Sequence, residues 1–125
     1  MYPIFKEFDI PIYRSKFLVL FSDKKEEIEA FCPDDRQGFE LHYAHTFIVN
    51  FKKHEGFLVT FNLKNEFRSV NHGCIAHEVF HAASMLLRSR DVELSVESEE
   101  AYSYLIDWMT DLIYGTIKEN KIEIV

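Results

Sequence analysis

The sequence predicts an α+β fold, with a small, mainly antiparallel sheet packed on two long helices. Three observations point there. Residues 39–51 and 57–63 alternate in side-chain character with the period of a strand. Residues 70–90 and 99–118 repeat their apolar side chains at the helical period. The third observation is size: 125 residues, 47% of them hydrophobic, with 4 Gly and 3 Pro, suffice for one packed core. No repeat, low-complexity segment or linker divides the chain, so residues 1–125 read as a single domain.

Taken in order, residues 1–13 mix Pro3 and Pro11 with apolar side chains, and a short strand is expected near 10–13. Residues 16–21 form a compact apolar run, the pattern of a buried strand. Ser22 is placed to N-cap a helix continuing over 24–31, and Asp23 in its first turn suits the helix dipole. Pro33, Asp34, Asp35 and Gly38 mark a loop.

A hairpin follows. Phe47, Val49 and Phe51 alternate with Thr46, Ile48 and Asn50. Phe57, Val59, Phe61 and Leu63 alternate with Leu58, Thr60 and Asn62. The turn falls at residues 52–56, with Gly56 expected as a bulge residue. Residues 65–68 connect the hairpin to a long helix that Ser69 is expected to N-cap and that runs to about residue 90. On a helical wheel Ile75, Ala76, Val79, Phe80, Ala82, Ala83, Leu86 and Leu87 share one broad arc. Cys74, His77, Glu78, His81 and Met85 fall opposite. Residues 91–98 are polar and break the pattern. Ser98, or Ser95 for an earlier start, caps a second helix whose apolar side holds Ala101, Leu105, Trp108, Met109, Leu112, Ile113 and Ile117. Residues 120–125 read as a short strand or a loose tail.

Composition narrows the function classes. A net charge of -7 argues against a nucleic-acid footprint. The longest apolar run, residues 17–21, is far too short to span a bilayer, and no basic start followed by an apolar run suggests a secretory leader. Cys32 and Cys74 form no C-x-x-C pair. They read as two reduced thiols of a cytoplasmic protein, with a single disulfide as the alternative.

The chemistry sits in His77-Glu78-Val79-Phe80-His81, an H-E-x-x-H sequence. On a helix this spacing puts both imidazoles on one face, one turn apart. Two neutral histidines so placed can share one Zn²⁺, each at about 2.0–2.1 Å. Glu78 can then act as general base on water at the metal. A catalytic zinc usually takes three protein ligands. Candidates for the third are Asp91, Glu93, Glu97, Glu99 and Glu100; on the second helix Glu100 shares an arc with Tyr104, Asp107 and Asp111.

His77-Glu78-Val79-Phe80-His81 followed by Glu99-Glu100-Ala101-Tyr102-Ser103-Tyr104-Leu105 resembles the zincin metallopeptidases of the gluzincin type. In these, a glutamate on the following helix is the third ligand. The pattern is similar to that of small metallopeptidases encoded in bacteriophage genomes and related mobile elements, and to the Glu-Ala step of the ImmA/IrrE peptidases. The resemblance covers about residues 71–108. It implies a minimal zincin-like metallopeptidase domain with one zinc per chain. The implied ligands are His77, His81 and Glu100, with Glu99 as runner-up, and the implied base is Glu78. It implies hydrolysis of a protein or peptide substrate in the cytoplasm, that of the host cell if the chain is phage-encoded. Large gluzincins often carry an Asp one turn after the ligand glutamate. Here Tyr104 stands at that position, and Asp107 is the candidate to orient a ligand imidazole in its place.

An oxyanion electrophile would come from Tyr104, His72, Tyr43 or His45. Substrate is expected to add as a strand to an exposed edge of the hairpin sheet, and the resemblance to zincins implies that one arm of that hairpin lies above the site. A fourth protein ligand, Cys74 or His72, would instead close the metal site and make it structural. Without metal, the amphipathic helices would suit a protein-interaction domain. An apolar tail (Ile122, Ile124, Val125) is a candidate to block the site.

Overall fold

The fold comes from a computed structural model that describes residues 3–30, 44–51, 54–63 and 69–125. Strands β1 (Ile4–Ile10), β2 (Ser15–Ser22), β3 (Ala44–Phe51) and β4 (His54–Asn62) form one sheet in the order β1-β2-β4-β3. Both outer pairs are antiparallel, while β2 and β4 run parallel at the centre. The fold is therefore α+β with a mostly antiparallel sheet, as expected. Helix α1 (Lys25–Glu29) covers one face, and α2 (His72–Ser89) with α3 (Glu99–Glu119) covers the other. Two short strands, β5 (Ser69–Val70) and β6 (Glu123–Ile124), pair in parallel beside them.

The central position of β2 explains its composition. A strand buried on both faces reads as a continuous apolar run instead of alternating. Phe17, Val19 and Phe21 join Phe57, Val59 and Phe61 of β4 beneath α2 and α3. Leu18, Leu20 and Leu58 face the opposite way, against Ile28 of α1. The Phe21 and Phe61 rings stack at 4.9 Å. Each fully buried Phe contributes about 1.5–3 kcal/mol through lost water contact, so these rings anchor the sheet to the helices.

Several elements differ from expectation. The first strand covers Ile4–Ile10, and residues 11–14 form its turn. Pro11 cannot donate to a ladder, so the strand ends before it. The first helix is shorter than expected, and its N-cap position is Lys24. Ser22 belongs to β2; its hydroxyl accepts from the Lys24 N–H at 3.0 Å and donates to the Glu27 carboxylate. Gly56 is no bulge. It lies in register within β4, between Lys16 and Val49. A Cβ there would stand 2.9 Å from Leu18 Cδ1 and 3.4 Å from Val49 Cγ2. The glycine is needed for close approach of three strands. The expected loop at 33–38, the start of the hairpin arm at 39–43 and the connector at 65–68 lie outside the described residues.

Ser69 is not the cap of α2. It is committed to β5, and Asn71 takes the role: its Oδ1 accepts from the N–H groups of Gly73 (2.7 Å) and Cys74 (3.2 Å). Past the other end, Asp91 turns the chain with φ of 61°. Arg90 fastens this end to the sheet, donating to Glu55 Oε1 (3.2 Å) and to the Tyr13 carbonyl (2.8 Å). Ser98 precedes α3 as expected, although its side chain makes no helix-cap bond and its hydroxyl donates to the Glu93 carbonyl. Helix α3 then runs back along α2, so that Tyr114 near its end meets His72 at the start of α2. The tail is strand β6, with Ile122 buried and the Val125 N–H donating to the Val70 carbonyl at 2.8 Å.

Candidate functional site

Helix α2 has a buried back. Ile75, Val79, Ala82, Ala83, Leu86 and Leu87 lie in the core against the sheet and α3. The wheel placed Phe80 and Ala76 on this arc, but both are exposed, Phe80 at 43%. It placed Glu78 on the opposite arc, and Glu78 is buried at 7% exposure. The buried arc is rotated toward Glu78 because β3 lies over that flank of the helix.

His77 and His81 project from the solvent side, one turn apart as their spacing requires. Their Nε2 atoms stand 3.0 Å apart, with ring centroids 4.7 Å apart and planes inclined at 71°. Two nitrogens bound to one zinc at about 2.0–2.1 Å and at tetrahedral angles stand roughly 3.3–3.4 Å apart. The pair thus fits two corners of a zinc site with little adjustment.

Glu78 is held from above. The Thr46 hydroxyl on β3 lies 2.7 Å from Glu78 Oε2 and 3.2 Å from the Glu78 carbonyl oxygen. The other carboxylate oxygen, Oε1, lies 3.9 Å from His77 Nε2. A buried, hydrogen-bonded carboxylate beside two converging imidazole nitrogens is a placement that suits proton transfer at the imidazole pair.

The remaining candidates are not gathered here. Asp91, Glu93, Glu97, Glu99 and Glu100 are all exposed, as are Tyr104, Asp107 and Asp111 on α3. Among the described residues no group of three or more His, Cys, Asp or Glu is arranged to hold a metal ion. The structure therefore brings together His77, Glu78 and His81, and leaves Glu100 in the open first turn of α3. Alternation along β3 turns His45 to the face opposite Thr46, where its ring packs on Phe47 at 4.3 Å. His72 is engaged with Tyr114, Nδ1 to hydroxyl at 2.5 Å, with the rings stacked. Tyr43 and Cys32 lie outside the described residues. Cys74 is free and half-buried; burial, and then the charge of Glu78, raise its thiol above the usual value. That disfavours the thiolate a metal would need.

The sequence alone does not single out Thr46. The available signal is weak: Thr46 and Asn50 make one face of β3 more polar than the face of Phe47 and Val49. Compared with known proteins, the chain matches no family model, no curated protein and no solved structure.

Proposed function

We propose that this chain is a zinc-dependent peptidase, with His77, His81 and Glu100 as metal ligands and Glu78 as general base. The observation that carries the reading is the convergence of two Nε2 atoms at 3.0 Å beside a buried carboxylate. Glu100 is proposed as the third ligand from the resemblance to gluzincins; its exposed side chain is free of core packing and can turn. A bound zinc supplies Lewis acidity for the scissile carbonyl and for water. Glu78 takes a proton from the attacking water and delivers it to the leaving amine.

Strand β3 is outermost in the sheet among the described residues and carries Thr46, which touches the base. It is the arm on which we place the substrate peptide as an added strand. No helix among the described residues is long and apolar enough to cross a membrane. The proposed setting is the cytoplasm, with a protein or peptide substrate.

Metal content by mass spectrometry on wild type, His81→Ala, Glu99→Ala and Glu100→Ala tests the site. The expected result is one zinc per wild-type chain, lost with His81 and reduced with Glu100 but not with Glu99. No zinc after reconstitution overturns the reading.

A second reading has its own observation. At 3.0 Å one imidazole N–H can donate to the other imidazole's nitrogen, which needs no metal. The domain would then be a non-catalytic interaction module. A chain that binds zinc through four protein ligands and leaves no position for water would be a structural zinc domain. Coordination number from X-ray absorption separates these outcomes.

A further inference from the structure

We infer that Thr46 is the positioning residue of the general base, fixing which oxygen of Glu78 handles the proton. The inference rests on the peptidase reading, but its geometric content stands apart from it. Thr46 is itself buried, at 6% exposure, and its hydroxyl lies 2.7 Å from Oε2 of a carboxylate that is also buried. A hydroxyl has one proton to give. A charged acceptor makes the stronger bond, so that proton goes to the carboxylate, and the Glu78 carbonyl at 3.2 Å is the weaker acceptor.

With Oε2 occupied, Oε1 is the oxygen presented toward the imidazoles, 3.9 Å from His77 Nε2. Proton transfer requires the base within hydrogen-bond reach of the proton it takes. Thr46 therefore directs Oε1 at the space in front of His77 and His81. The coupling crosses elements: the base is on α2, its holder is on the neighbouring strand, and the two are 32 residues apart in sequence.

The full chain is compared as wild type, Thr46→Val and Thr46→Ser by crystallography. Val matches the shape of Thr and removes the hydroxyl, whereas Ser restores it. Wild type and Thr46→Ser are expected to keep Oε1 toward His77. In Thr46→Val the carboxylate is expected to rotate out toward solvent, away from an apolar group that cannot satisfy it. A Thr46→Val structure with the carboxylate unmoved overturns the inference, as does loss of its position in Thr46→Ser. Should Thr46→Val not fold, Thr46→Ala carries the same expectation.

Cobalt(II) supplies a second readout. All three proteins are expected to bind one ion, and the visible absorption spectrum is expected to shift in Thr46→Val alone. Identical spectra in all three would count against the positioning role. Failure of the wild type to bind cobalt would overturn the metal reading on its own account, and the crystal structures would still decide whether Thr46 holds Glu78.

Discussion

The middle of α2 and the first turn of α3 each carry a glutamate of the proposed zinc site, and their surroundings are opposite. Glu78 lies against the sheet, capped by a strand residue, beside a pair of histidines whose backbone is fixed by six buried neighbours on the same helix. Glu100 stands in water at a helix start, next to Glu99, on a turn whose cap residue makes no side-chain bond to the helix. A proton-transferring group needs a fixed direction before substrate arrives. A metal ligand can acquire its direction from the ion, at the cost of side-chain freedom. Under the proposed peptidase reading, the contrast gives the two carboxylates different duties: Glu78 would be preorganised, while Glu100 would be recruited by the ion.

The largest effect that could break this contrast is at Glu78. Glu78→Gln is expected to lower peptide hydrolysis by roughly 10²–10⁴-fold while zinc content stays at the wild-type level. A turnover assay on a fluorogenic peptide mixture reads this directly, and a glutamine variant at full rate removes Glu78 from the mechanism. Next is the packing behind the site. Leu86 is fully buried on the back of α2, so Leu86→Ala should cost about 2–5 kcal/mol in urea unfolding. Phe80→Ala, on the exposed front, should cost well under about half of that. Equal losses would mean that the front is as packed as the back.

Gly56→Val sharpens the comparison from the sheet side. Its new side chain would meet Leu18 and Val49, with an expected loss of about 1–3 kcal/mol. Glu100→Ala should change folding stability by less than about 1 kcal/mol, because its side chain is exposed and its helix-dipole contribution in the first turn of α3 is small. A larger loss would show that the first turn of α3 is held by Glu100 after all.

The smallest effect is at Cys74. Its raised thiol, pushed up first by burial and then by Glu78, should alkylate with iodoacetamide more slowly at pH 8.5 than in the urea-unfolded chain. Peptide mapping of Cys74 measures the ratio. In stability terms, the native state holds this proton more tightly than the unfolded state. The contribution is whole below the unfolded thiol's pKa and is lost as pH rises through the folded one. A Cys74 that reacts equally fast in both states would contradict the half-buried placement.

The local parts of this structure were legible because local rules govern them. H-E-x-x-H spacing put His77 and His81 together, and the apolar periods marked both long helices and both arms of the hairpin. The parallel pairing of β2 with β4 was not legible, because nothing in residues 16–21 says which strand they join. The strand at Ile4–Ile10 was hidden by Lys6, Glu7 and Asp9, which are tolerated on an outer strand. Ser69 and Asn71 are both good caps; the choice fell to Asn71 because β6, from the far end of the sequence, claims Ser69. Burial of Glu78 depended on a strand crossing above it, a fact of tertiary structure that no helical wheel contains.

The central parallel ladder has a kinetic consequence. It pairs Lys16 with Gly56 and Ser22 with Asn62, so every rung joins positions about forty residues apart. Hairpins β1–β2 and β3–β4 close over short turns and can form early, as can the helices. Joining the two hairpins requires closing the long crossover, and such nonlocal contacts slow folding. Until that step is complete, the inner edges of both hairpins carry unpaired backbone beside Phe17, Phe21, Phe57 and Phe61. Those edges are the sticky surface of the unfinished chain. Folding yield should therefore respond to protein concentration more sharply than native stability does.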